Sequence, residues 1–178
     1  MSNLATLPSG ERIGIEAHGS STAGYRLGIR AHGEVRDGGA VGAFTKPATN
    51  LGAFHTTQIS NYALGKLGED IAAGYLHRIE GLEIIERNAH STVGEIDLIA
   101  EGTDELVFVE VKTRRGSTRG ALSVNPRKLH RMRRTAEIWL AQRSNYLPAR
   151  FAVIEIELPR TRGFGFLHYF PEVDSGTR

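Results

Sequence analysis

The 178-residue chain has no cysteine, which excludes disulfide staples, thiolate zinc sites and cysteine nucleophiles. A reducing, cytoplasmic setting is the expectation that follows. Long apolar runs are lacking too. None approaches the ~18 residues of a membrane span, and the start, MSNLATLPSGERIGIEAHG, holds none of signal-peptide length. No membrane partner is expected. The seven histidines are scattered, without a His-x-x-x-His pair, so an imidazole metal site has no sequence support. Net charge is nearly absent as well: 22 Lys and Arg face 20 Asp and Glu, leaving +2. A chain of this length makes one domain, with or without a tail.

What is present falls into two unequal parts. Ten of the 21 glycines lie in residues 1–55, where apolar residues come singly or in pairs. Such a stretch buries too little surface to offset its ordering entropy, so residues 1–58 are expected as a disordered or poorly ordered N-terminal extension. Within it ERIGIEAHGSSTAG (11–24) is followed by YRLGIRAHGEVRDG (25–38), a two-copy repeat of 14 residues. Two copies are too few for a solenoid. Pairing His18 with His32 on an ion is one reading, and a small duplication in a tolerant tail is the plainer one.

From about residue 60 periodic patterns begin. YALGKLGEDIAAGYLHRI (62–79) places Leu64, Leu67, Ile71, Tyr75 and Ile79 at three- and four-residue steps. Asn61 is the expected cap and Gly81 the stop. LEIIERN (82–88), VGEIDLIAE (93–101), ELVFVEVKT (105–113) and RFAVIEIEL (150–158) read as strands, with GFLHYF (165–170) as one more. Asn125-Pro126 opens a second helix running to about Arg143. The order is α/β, a mixed sheet covered by two helices over residues 59–171, followed by a tail at 172–178.

Side-chain parity constrains the central hairpin. Ile96, Leu98 and Ala100 share one face, as do Val107, Val109 and Val111. Pairing Leu98 with Val109 puts both rows on one buried face and sets Asp97 opposite Glu110, with Glu95 and Lys112 beside them. Opposed carboxylates repel, so a cation is expected there, either Lys112 or a hard divalent metal. An ordinary solvated face accounts for the same residues when they are taken alone. On the first helix Glu69 stands at the margin of the apolar arc while Asp70 points away from it. On the second, Leu129, Met132, Ala136, Trp139 and Leu140 form the apolar arc, opposite Arg127, Arg131 and Arg134. Lys128 lies at the border, placed to turn toward the sheet. Nine Lys or Arg and no acid lie between Val111 and Ala136, a pattern that suits a nucleic-acid backbone.

LGKLGEDIAAGYL (64–76), IIERN (84–88), GEIDLIA (94–100), FVEVKTR (108–114), the Arg127-Lys128 pair and RFAVI (150–154) together carry a resemblance. Over residues 60–170 the chain resembles the YraN-like family of uncharacterised predicted endonucleases, within the PD-(D/E)XK nuclease superfamily. The resemblance implies a restriction-endonuclease-like mixed-sheet core in the order α-β-β-β-α-β. It implies that Asp97 and Glu110, with the backbone carbonyl of Val111, ligate Mg²⁺ or Mn²⁺, that Lys112 handles the attacking water, and that Glu69 completes the catalytic set. Arg114, Arg115, Arg127, Lys128 and Arg131 become the expected nucleic-acid contacts. Ile96 stands where the superfamily name has Pro, and Ala152 where an acid is common. The function expected on this resemblance is metal-dependent hydrolysis of phosphodiester bonds in DNA, ahead of RNA, including branched or processed structures. A binding module of the same fold with weak or no catalysis is the alternative. A structural protein with merely solvated hairpin carboxylates is the third.

Overall fold

The first helix starts at a serine. In the computed structural model α1 spans Asn61–Arg78, and the Ser60 side chain accepts from the Ala63 N–H. The cap is therefore Ser60, one residue before the Asn61 expected from the sequence; its hydroxyl satisfies a first-turn donor that Asn61, already helical, does not reach. The helix ends at Ile79, and Gly81 follows with φ +73°, the left-handed geometry that lets the chain reverse into the sheet. The structure describes residues 56, 59–116, 125–144, 147–160 and 165–173, together with the backbone of 2–6, 12–17 and 24–30.

In chain order the strands are β1 (Ser2–Thr6), β2 (Arg12–Ala17), β3 (Gly24–Arg30), β4 (Glu83–His90), β5 (Glu95–Glu101), β6 (Leu106–Arg115), β7 (Ala149–Leu158) and β8 (Gly165–Phe170). Helix α2 spans Pro126–Leu140, between β6 and β7. The core is a five-stranded mixed sheet ordered β8-β7-β6-β5-β4, in which only the β6–β7 pair is parallel. A parallel pair needs a crossover, and α2 supplies it. This is the expected α-β-β-β-α-β order with one further strand, β8.

Past β8 the sheet continues through β3 and β2 to β1. The two copies of the 14-residue repeat pair antiparallel with each other, Gly14 opposite Gly28. The expectation of a poorly ordered extension, and the pairing of His18 with His32, otherwise fall outside the described residues.

The two helices cover opposite faces of the core sheet. Against α1 pack Leu98, Ala100, Val107, Val109, Ala152, Ile154 and Ile156, with Leu64, Leu67, Ile71, Tyr75 and Leu76 of the helix. Against α2 pack Ala89, Ile96, Ile99, Leu106 and Phe108, with Met132, Ala136 and Trp139. Phe108 stands edge-on to Trp139 (ring centroids 5.7 Å apart) and stacks on Phe151 (5.5 Å). The hairpin therefore has two aliphatic or aromatic faces in its middle, not one apolar and one polar face as its alternation suggested. A sheet covered on both sides requires this. Helix α2 stops at Leu140, a turn short of Arg143, whose guanidinium lies 3.2 Å over the Trp139 ring.

Gly68 sets how close α1 comes to the sheet. A Cβ there would meet Thr113 Oγ1 at 1.7 Å and Thr113 Cβ at 2.8 Å, so any side chain lifts the helix off β6. At the end of β6 the Arg115 guanidinium donates to the carbonyls of Thr56 and Ile59 and to Asn61 Oδ1, bracing the strand against the start of α1. Among the described residues no helix is long and apolar enough to cross a membrane.

Candidate active site

The β5–β6 ladder carries the expected Leu98–Val109 pair and runs from there through Glu101–Leu106. Asp97 does not continue it opposite Glu110. Its Oδ2 instead accepts the Val111 N–H at 2.6 Å, the carboxylate standing in for a main-chain carbonyl. The cause is a break in alternation: Ile96 and Leu98, two residues apart, lie on opposite faces of the sheet. Ile96 therefore leaves the row it was expected to share with Leu98 and Ala100. One strand over, Asn88 lies between the Arg87–Leu98 and Ala89–Ile96 pairs, facing Asp97, and has φ +52°. Two neighbouring strands distort on the same rung.

A cleft of about 400 Å³ opens beside this irregularity, lined by Asn61, Gly65 and Glu69 from α1, Asp97 from β5, and Lys112 and Arg114 from β6. Burial raises the Asp97 carboxyl to about 7, and the Glu110 charge adds to the rise. The Val111 N–H and Lys128 pull it back, and Glu69 pushes it up again. Glu110 is 12% exposed, and Lys128 Nζ lies 3.1 Å from its Oε2 and 4.0 Å from Glu95 Oε1. The ammonium approaches off hydrogen-bond geometry, so this Glu110 oxygen is buried with no hydrogen bond. A repelling carboxylate pair with such an oxygen is satisfied by a proton, an ammonium or a hard divalent cation.

Glu69 is 15% exposed and belongs to the same cleft. Its Oε2 accepts from Lys66 Nζ at 2.9 Å and from Asn88 Nδ2 at 3.2 Å, and Lys66 Nζ also reaches Asn88 Oδ1 at 3.0 Å. The sequence reading missed Lys66 and Asn88. The three-residue step from Lys66 to Glu69 was an available signal, whereas nothing in the pattern marked Asn88. Asp70 pairs instead with Arg87 at 2.6 Å, on the outside. Among the described residues no group of three or more His, Asp or Glu is placed to hold one metal ion.

The expected basic contacts separate into three kinds. Lys128 turns to the sheet, as its border position on the helix predicted. Arg127 and Arg131 of α2 are exposed, Arg131 beside the turn at Gly94, and Arg114 is exposed at the cleft. The Arg115 guanidinium is committed to α1 and its preceding turn, because the strand end it stands on needs that brace.

Fold and site together define a class: a mixed α/β sheet between two helices, with a carboxylate pair where its central strands part. The chain belongs to the family described as Uncharacterised protein family UPF0102, whose pattern matches residues 68–156, from Gly68 of α1 to Ile156 of β7. It is 47% identical over 117 residues to a UPF0102 protein of Corynebacterium efficiens, covering 65% of this chain and 94% of that one. A UPF0102 protein of Rhodococcus opacus is 50% identical over 99 residues, 54% of this chain and 83% of that one. A Mycobacterium avium UPF0102 protein is 41% identical over 111 residues, 60% and 86% of the two chains.

Proposed function

We propose that the chain is a metal-dependent nuclease of the YraN-like, PD-(D/E)XK type, hydrolysing phosphodiester bonds of DNA, including branched or processed structures, in the cytoplasm. The observation that carries this reading is the buried, mutually repelling carboxylate pair. Asp97 is raised to about 7 chiefly by burial and by its neighbour Glu110, whose Oε2 is buried without a hydrogen bond. Asp97, Glu110 and the Val111 carbonyl would hold Mg²⁺ or Mn²⁺, which supplies Lewis-acid polarisation of the phosphate and acidifies water. Lys112, lining the cleft beside Asp97, contributes a cation against the phosphate and a group to orient the attacking water. Arg114 at the cleft, with Arg127 and Arg131 on α2, offers charge to the flanking backbone.

A binding module without catalysis is the second reading, and one contact favours it: the Lys128 ammonium, 3.1 Å from Glu110, already neutralises part of the pair. Cleavage of linear, flapped and four-way DNA with Mg²⁺ separates the two. The nuclease reading expects Asp97→Ala and Lys112→Ala each to lower the rate about 10²–10⁴-fold while binding persists. Undiminished cleavage in both variants would remove these residues from the site.

A further inference from the structure

A regular strand sends successive side chains to opposite faces. Arg87 and Asn88 break this rule together: Arg87 bonds Asp70 of α1 at 2.6 Å, while the adjacent Asn88 bonds Lys66 and Glu69 of the same helix. Ala89 then returns to the opposite layer, under α2. The left-handed backbone of Asn88, the sole non-glycine with positive φ among the described residues, makes both reaches possible. An L-residue adopts this conformation at a cost, and such costs concentrate where a site needs a particular geometry. Glycine would meet the backbone requirement more easily. What asparagine adds is the amide.

That amide closes a triangle. Lys66 and Asn88 both donate to Oε2 of Glu69 and also bond each other, while no hydrogen bond among the described residues engages Oε1. One oxygen is clamped and the other remains for the cleft that Glu69 shares with Asp97 and Lys112. We infer that Asn88, with Lys66, is a positioning residue that fixes the Glu69 carboxylate in the cleft it shares with Asp97 and Lys112. The inference rests on the nuclease reading for its chemistry, but not for its geometry.

Asn88→Gly in the full chain tests it, since glycine keeps the left-handed backbone and removes only the amide. The expected result is a kcat for Mg²⁺-dependent DNA cleavage about 10–100-fold lower, the range for partners that orient a metal-site group. KM for DNA stays unchanged, and the thermal midpoint is equal or higher. Asn88→Asp, which turns the donor toward Glu69 into an acceptor, is expected to lose at least as much. Wild-type kcat in Asn88→Gly would show that the residue serves the backbone alone and overturn the clamp. Crystal structures of wild type and Asn88→Gly give a reading independent of cleavage. Glu69 leaving the cleft in the variant supports the clamp even if the wild type cuts no DNA, in which case the nuclease reading is what falls. Glu69 held in place without the Asn88 amide overturns the clamp whether or not the wild type cuts.

Discussion

The β5–β6 hairpin has two halves built from the same two strands. From Leu98–Val109 to Glu101–Leu106 the ladder is regular, and every residue in it but Glu101 is buried. Beyond Leu98 it parts: Asp97 takes the Val111 N–H, Ile96 changes face, and Asn88 on β4 turns left-handed. All the expected catalytic residues on these strands, Asp97, Glu110 and Lys112, lie in the irregular half. The regular half keeps its ladder bonds, and the irregular half puts a side-chain carboxylate in the place of a main-chain acceptor.

The comparison can be broken from either end. The largest stability effect belongs to the regular half. Phe108→Ala removes the ring that meets Trp139 and Phe151 and is expected to cost about 3–5 kcal/mol in urea unfolding. A cost near that of a surface substitution would mean the ring stack contributes little. In the irregular half the effect depends on pH. The folded Asp97 carboxyl binds its proton up to about 7, whereas the unfolded one releases it near 3.8. The folded state therefore holds the extra proton between these values, and stability falls as pH rises through that window. Asp97→Asn keeps an acceptor for the Val111 N–H and cannot ionise. Its unfolding free energy should be flatter from pH 4 to 7, with wild type losing on the order of 2–4 kcal/mol more across the window. Parallel pH curves for the two proteins would contradict the raised carboxyl. The smallest effect probes how tightly α1 is held over the join. Gly68→Ala forces a methyl into Thr113 and is expected to cost about 1–3 kcal/mol, read as a lower thermal midpoint.

Regular features were legible in the sequence and irregular ones were not. Period-2 and three-to-four spacing predicted every core element, the Leu98–Val109 register and the inward turn of Lys128, because these follow from repeated geometry. The same parity argument failed at Ile96, since a break in alternation at Asp97 moves every residue beyond it to the other face. It also set Asp97 opposite Glu110, where the carboxylate instead replaces a backbone acceptor. Glu69 was placed correctly at its helix margin, while its partner Asn88 comes from a backbone angle that no spacing encodes. Arg115 was one base among nine in a charged run; only the fold shows that it braces α1.

The bond from Asp97 to Val111 has a consequence for observation. The Val111 amide proton rests on a carboxylate oxygen, so its chemical shift and its rate of exchange with solvent follow whether that carboxyl is protonated, charged or engaged by a ligand. One main-chain resonance in the middle of a strand thus serves as a built-in spectroscopic probe of the site, readable without substrate and without labelling any side chain.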